Sequence, residues 1–484
     1  MTTTGTVSGR VTWSYASFAF PLAMLGYPLG IWLPRAYATD MGVALQWIGI
    51  AGMVASIVDA ITDPPMGFVS DRFRMRWGRR RPWIVVGVPW LTVSVWMLLN
   101  PTPGISPWYL VGWYVALRLG GTLLGTPFAA WGAELSTEYH ARTRIQSARE
   151  MVGLLGLVAA ALVPAGVETV YGSAATAARV LAAYSGFIVV LLPLALLALV
   201  TQVPELPKQD GEGRTSWLRS LSLMKRNRLF FVIIGIEFLI TGGESFRNAM
   251  SLFFMQEVIR VPRAGWLYVM YFAAGLGAIP AWNALARAFG KHRSLAAAML
   301  LVSIDSLIIF ALRPLFDARL GWLDDRGVLY AFYALFAVKG FCFGAFAYLP
   351  RAMVADVVDV DTARSRDSRP ASYFAILGFM TKLATSFGFL SLPALGLVGF
   401  DPRAGAAHSA NELAWLGVLY AIVPTALFVA ALYLAWTWPL TPERHSRLRL
   451  ALERRVRRAR DAATEAYASE PDSSEAEAKA LRAL

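Results

Sequence analysis

The sequence predicts an all-α membrane protein in which twelve transmembrane helices form two six-helix bundles. Three observations predict it. The 484-residue chain is 56% hydrophobic and only 16% charged, with a mean hydropathy of +0.50, whereas soluble chains carry about a quarter charged residues. Apolar stretches of about twenty residues, enough to cross a bilayer, recur along its whole length. Lys and Arg gather in alternate loops between those stretches, as the positive-inside rule requires of a multi-pass chain.

The spans follow in order. The first half offers Trp13–Pro34, Trp47–Ser70, Pro82–Asn100, Trp108–Trp131, Met151–Tyr171 and Ala178–Val203. The second offers Leu229–Val258, Trp266–Phe289, Ser294–Leu315, Val328–Val354, Ser372–Val398 and Trp415–Pro439. Span one starts after a short polar segment and runs far past the length of a signal-peptide core, so it is expected to stay as an uncleaved span. Arg72, Arg74, Arg76 and Arg79 to Arg81 follow span two, and Arg142 and Arg144 follow span four. Lys208 to Arg228 follow span six, Lys291 and Arg293 span eight, and Arg364, Arg366 and Arg369 span ten. Even-numbered spans are therefore expected to end in the cytoplasm, with both termini there, in an inner (plasma) membrane. Residues 1–203 read as one bundle, 204–228 as a cytoplasmic linker, 229–439 as the second bundle and 440–484 as a tail.

Composition also excludes functions. The net charge of +13 is spread over alternate loops instead of one soluble face, so it marks topology and not nucleic-acid binding. A single cysteine, Cys342, rules out a disulfide framework, and four dispersed histidines offer no metal centre. No phosphate loop or nucleophile motif is present, so an enzyme is not expected and no cofactor is implied. The expected partners are the lipid bilayer and a small-molecule substrate, with a monomer as the default state.

The halves resemble each other. Ala133-Glu134-Leu135 with Ala141-Arg142-Thr143-Arg144 after span four has the same internal spacing as Ala355-Asp356-Val357 with Ala363-Arg364-Ser365-Arg366 after span ten. Gly78-Arg79-Arg80-Arg81 after span two is matched by Gly290-Lys291-His292-Arg293 after span eight. Parallel six-span repeats are how major facilitator transporters are built, with the substrate site at the midplane between the halves.

Val58-Asp59-Ala60-Ile61-Thr62-Asp63-Pro64 carries the chemistry. Asp59 and Asp63 are i,i+4 neighbours and Thr62 is i+3 from Asp59, so the three share nearly one helix face. A charged Asp near mid-membrane costs roughly 2.5–3.5 kcal/mol on insertion scales. A pair persists only if a bound cation, a proton or an opposing base offsets that cost. All three remain open on the residues alone.

Four stretches identify the chain as resembling the glycoside–pentoside–hexuronide:cation symporters of the major facilitator superfamily. They are Asp59 to Gly67 with Ser70-Asp71-Arg72 and Arg76 to Pro82; Thr126 to Leu135 with Arg142-Thr143-Arg144; Met353 to Asp359; and Lys382 in span eleven. The resemblance covers nearly the whole chain up to about Pro442. It implies alternating-access symport coupled to Na⁺ or H⁺, with Asp59 and Asp63 as the cation carboxylates. Thr62 stands where the melibiose-transporting member has a cation-site Asn, and Thr122 matches its cation-site Thr. Arg149 and Lys382 match functionally sensitive bases. The sugar-binding acids of that member fall here at Ala23 and Gly125, and its stacking Trp at Ala129. A site lacking those groups is not expected to recognise a galactoside. A small glycoside or sugar acid is the first expectation. Animal relatives of this fold carry lysolipids with sodium, so an amphiphile is the alternative, and a non-transporting sensor the third.

Oxygen ligands from Asp59, Asp63, Thr62 and Thr122 suit a hard cation such as Na⁺. Two close carboxylates also favour a shared proton. Alternatively both pair with bases, for which Lys382 and Arg118 are available; Arg118 lies one turn before Thr122. Glu244 and Arg247 in span seven, i,i+3 apart, read first as an internal salt bridge and second as substrate ligands. Asp305 is expected to be buried and hydrogen-bonded, and Glu168 interfacial. Asp71 and Glu134, and Asp356 and Asp359, are expected to pair with Arg72, Arg142, Arg144 or Arg364 in a cytoplasmic latch that forms only in the outward-facing state and breaks on rocking. Glu443 to Arg460 reads as a basic amphipathic helix on an anionic leaflet.

Overall fold

The computed structural model describes residues 7–73, 75–136, 138–205, 227–317, 324–365, 370–403 and 406–440. Among them the chain is a succession of helices with no strand. The first bundle comprises span one (Gly9–Asp40), span two (Leu45–Arg72), span three (Arg81–Leu99), span four (Pro107–Glu134), span five (Tyr139–Tyr171) and span six (Ala177–Gln202). The second comprises span seven (Arg228–Ile259), span eight (Gly265–Phe289), span nine (Lys291–Asp317), span ten (Asp325–Phe346), span eleven (Pro370–Gly388) and span twelve (Ala410–Trp436). Eleven of these are long and apolar enough to cross a membrane. The other, span four, is 28 residues long, and mid-helix Arg118 with five glycines lowers its hydropathy. Most of the linker and the basic tail lie outside the described residues.

Several helices outrun the apolar stretches that announced them. Span five begins at Tyr139, so Arg142 and Arg144 sit in its first turns and not in a loop. Nothing in His140 to Glu150 breaks a helix, so the helix continues past the apolar boundary. Span ten likewise resumes as Leu349–Ser365 after a turn at Ala347–Tyr348, placing Asp356 and Asp359 on a helix. Span one contains π-helical turns at Pro28–Trp32 and Ala36–Asp40, where Pro28 and Pro34 remove backbone donors.

The halves touch in a symmetric pattern. Span two packs on span eleven and span five on span eight. A six-span repeat turns two into eight and five into eleven, so these contacts are equivalents. They close one end of the molecule, the end away from the first and last described residues. There Arg35 Nη2 meets Glu257 Oε1 at 2.9 Å, and Thr39 donates to the Pro402 carbonyl at 2.9 Å. Phe389 lies against span two, where a Cβ on Gly52 would come within 2.4 Å of its ring. One buried apolar cluster crosses both halves here, joining Leu33, Tyr37 and Leu45 to Phe253, Phe389 and Phe400. At the arginine-loop end, Phe230, Ile233, Met353 and Val357 form a cluster belonging to the second half alone.

Candidate functional site

Span two presents the acids and spans four and eleven enclose them. Thr62 Oγ1 donates to the Val58 carbonyl at 2.8 Å, the back-bond of a hydroxyl inside a helix. Pro64 and Pro65 follow within the same helix and supply no donors to Ala60 and Ile61. From span four, Thr122 Oγ1 lies 3.2 Å from Asp59 Oδ1 and 3.0 Å from Asp63 Oδ1. The Thr62 and Thr122 hydroxyls are 3.2 Å apart. Lys382 reaches in from the second half, its Nζ 2.5 Å from Asp63 Oδ2 and 2.9 Å from Asp59 Oδ1. Arg118 Nη1 stands 3.7 Å from Asp59 Oδ2.

All six of these sequence-chosen residues therefore meet in one place. Two carboxylates face two bases, so the cluster is neutral as it stands. That is the base-paired arrangement among the three open alternatives. Asp59 is 8% exposed, while Asp63 and Lys382 are half-buried, so the Lys382–Asp63 contact is the side of the cluster that solvent reaches. The two Oδ1 atoms and the Thr62 hydroxyl all lie within 3.2 Å of the Thr122 hydroxyl, an oxygen set suited to a small hard cation.

Other chosen residues lie elsewhere. Arg149 pairs at 2.5 Å with its chain neighbour Glu150 and does not join the cluster. Glu244 and Arg247 form the internal ion pair that their spacing suggested. Arg247 is 1% exposed and also donates to Ser306 at 3.1 Å, so the pair belongs to the interior of the second bundle.

In the described arrangement the arginine-loop acids hold other partners than those named for the latch. Glu134 binds Arg79 at 2.5 Å and Arg80 at 2.7 Å, and Asp71 pairs with Arg80. Arg80 also donates to Ser70 at 2.7 Å. The expected bases are occupied or remote: Arg142 donates to the Ser136 carbonyl at 3.2 Å, Arg144 donates to the Val7 carbonyl, and Arg72 is exposed. The cause is the tight turn Met75–Gly78, closed by two backbone bonds of 3.1 Å, which folds Arg79 and Arg80 back beneath spans two and four. Gly78, at φ +117°, allows it, and Glu205 packs where a side chain would stand. In the second half Asp356 pairs with Lys291 at 2.6 Å. The side chain of Arg364 lies outside the described residues, and Asp359 keeps its place on the Leu349–Ser365 helix. Each of these named pairs lies within one half. Ion pairs between the halves lie elsewhere, at the Lys382 cluster and, at the opposite end, in Arg35–Glu257.

Glu168 is not interfacial. It is buried and accepts from the Ala264 amide at 3.1 Å and the Gly265 amide at 2.9 Å, at the start of span eight, where helix N-terminal amides lack internal partners. Asp305 is buried as expected, but neither of its oxygens has a hydrogen-bond partner among the described residues. Lys339, buried in span ten, escaped sequence reasoning; a lone Lys inside an apolar run was the available signal.

A family model described as MFS/sugar transport protein matches residues 14–442. The chain is 24% identical to sodium-dependent lysophosphatidylcholine symporter 1 of Gallus gallus, over 91% of this chain and 88% of that one. It is 22% identical to the glucuronide carrier protein homolog of Escherichia coli, over 89% and 92%. In structure it is similar to a bacterial homolog of the human lysosomal transporter Spinster in its inward-facing, unoccupied conformation, with a TM-score of 0.61, 14% identity and coverage of 90% and 100%.

Proposed function

The chain belongs to the MFS/sugar transport protein family, and on that premise we propose that it is a cation-coupled symporter of the glycoside–pentoside–hexuronide type. The carrying observation is Lys382, a base from the second half that shares both carboxylates of the first. Na⁺ or H⁺ arriving at Asp59 and Asp63 displaces Lys382, and Thr62 and Thr122 supply further oxygens. The charge count then sets the second step. With the cation and Arg118 balancing the two acids, the freed Lys382 is an uncompensated positive charge in a low-dielectric site. An anionic substrate group restores balance, which favours a sugar acid or an anionic glycoside and makes cation and substrate binding mutually supportive. In uptake the halves then rock about the loaded site, closing the Arg35–Glu257 end and opening the other.

In this reading the protein is a multi-pass carrier of the inner membrane with cytoplasmic termini, built from bundles 1–203 and 229–439 joined by the 204–228 linker. The closed end is then the extracellular one, and the described arrangement faces inward. A second reading, transport of an anionic amphiphile, is favoured by the small residues Ala23, Gly125 and Ala129, since a Cβ on Gly125 would meet nothing within 4 Å. Uptake into proteoliposomes, with and without an inward Na⁺ or H⁺ gradient, tests both across uronides, neutral glycosides and lysolipids. The expected result is gradient-driven uptake of an anionic solute that Asp59→Asn abolishes. Uptake indifferent to both gradients would overturn the proposal.

A further inference from the structure

The second bundle holds a buried ionic cluster that the Asp59–Asp63 site does not use. Asp305, midway along span nine, is 2% exposed, and both its carboxyl oxygens are without hydrogen-bond partners among the described residues. Lys339 on span ten is also 2% exposed. Its ammonium reaches the Tyr420 hydroxyl at 3.4 Å and lies over the rings of Phe336, Tyr420 and Tyr271, 4.9, 5.4 and 5.8 Å from their centres. Span seven adds the Glu244–Arg247 ion pair, tied to span nine through Ser306, the residue next to Asp305.

The groups differ in how well their charges are held. Glu244 and Arg247 neutralise each other in contact. The Lys339 ammonium keeps three ring faces, an environment that stabilises a desolvated cation. The Asp305 carboxylate, by contrast, has lost water and gained no donor, and a buried carboxylate in that position is far less favourable than its protonated form. Around it stand Arg247 and Glu244 from span seven, Lys339 and Cys342 from span ten and Tyr420 from span twelve. Arg247 and Lys339 set basic side chains around Asp305, and Glu244 an acidic one. Glu244, whose side chain is 14% exposed, is the member nearest solvent.

We propose that Asp305 is a reversible proton-binding site of the second bundle, separate from the cation pair of the first. Its ligand is H⁺ itself: one proton adds to a carboxylate oxygen, the cluster gains one positive charge, and no bond between heavy atoms changes. The inference stands whether or not Asp59 and Asp63 bind a cation.

Infrared difference spectroscopy of the purified full-length protein between acid and alkaline pH tests it. A protonated-carboxyl C=O band is expected that titrates, moves on [¹³C]aspartate labelling, survives in the Asp59→Asn/Asp63→Asn double variant and disappears in Asp305→Asn. Lys339→Met is expected to carry the same titration to higher pH, because one of the charges that expels the proton is gone. Absence, in the labelled double variant, of an aspartate band at the high frequency of a carboxyl free of hydrogen bonds, apart from the bands of exposed aspartates, would overturn the proposal. That sample keeps the test decisive even where Asp305→Asn fails to fold. A band unchanged in a folded Asp305→Asn variant would overturn it equally. Loss of cation-driven uptake in the double variant leaves the band in place, so the two failures are told apart.

Discussion

Lys382 Nζ stands 2.5 Å from Asp63 Oδ2, linking side chains from opposite halves of the molecule. The same ammonium is 2.9 Å from Asp59 Oδ1. One basic side chain thus neutralises the acids of one half while being carried by the other, and its partners decide whether the halves are tied together at mid-membrane.

Removing that base should destabilise the resting protein. In Lys382→Met the two carboxylates keep only Arg118, at 3.7 Å, and about 1–3 kcal/mol of stability is expected to go with the lost charge-assisted bonds. Added Na⁺ should restore much of the thermal stability, since it fills the position of the lost ammonium. A Tm that drops and ignores Na⁺ would speak against a cation site there.

Thr122→Val keeps the volume and deletes the hydroxyl that bridges Asp59 and Asp63. The expected effect is about tenfold weaker cation activation, roughly 1.4 kcal/mol, with the fold intact. Half-saturation for Na⁺ in the uptake assay reads this out; an unchanged value would remove Thr122 from the site.

Arg35→Gln should loosen the closed end. Losing the Arg35–Glu257 pair is worth about 1–2 kcal/mol, roughly five- to thirtyfold in the equilibrium between closed and open forms. Cys342 is the only cysteine, so in a Cys342→Ala background an Ala38→Cys reporter, buried at the seam, reports alkylation only as that end opens. Its labelling is expected to accelerate in the Arg35→Gln background. An unaltered rate would show that the pair does not hold this end shut.

Gly52→Val tests the same seam sterically. A Cβ there would approach the Phe389 ring to 2.4 Å, and overpacking of this kind costs about 1–3 kcal/mol. Faster labelling of the same reporter is expected, with reversal on adding Phe389→Ala. Failure of the second substitution to reverse the first would point away from this contact.

Arg80→Gln and Arg142→Gln separate the observed arginine pairs from the expected ones. Arg80 holds Ser70, Asp71 and Glu134 together, so its loss should lower Tm by a few degrees. Among the described residues Arg142 donates to a backbone carbonyl, and its loss should change stability by no more than about 0.5 kcal/mol. Equal effects of the two substitutions would contradict the assignment.

Most of the site was legible in the sequence. Helical spacing alone placed Asp59, Thr62 and Asp63 on one face, and the motif resemblance supplied Thr122 and Lys382. Where reading failed, the reason was geometric. Arg142 and Arg144 have the right charge near Glu134, but the extension of span five and the turn at Gly78 give that carboxylate to Arg79 and Arg80 instead. Glu168 lies near a span end, where polar residues normally meet water. Packing of span eight against span five covers it with two amides.

The sequence by itself determined the twelve-span plan, its duplication and the double-acid chemistry, because hydropathy, loop charge and helical periodicity act between residues near one another in the chain. Tertiary structure decided which base neutralises which acid, which end of the molecule is closed and that Asp305 has no hydrogen-bond partner among the described residues. Those outcomes depend on how rigid helices hundreds of residues apart come to lie together. In a low-dielectric interior a displacement of a few ångströms decides whether a charge is paired.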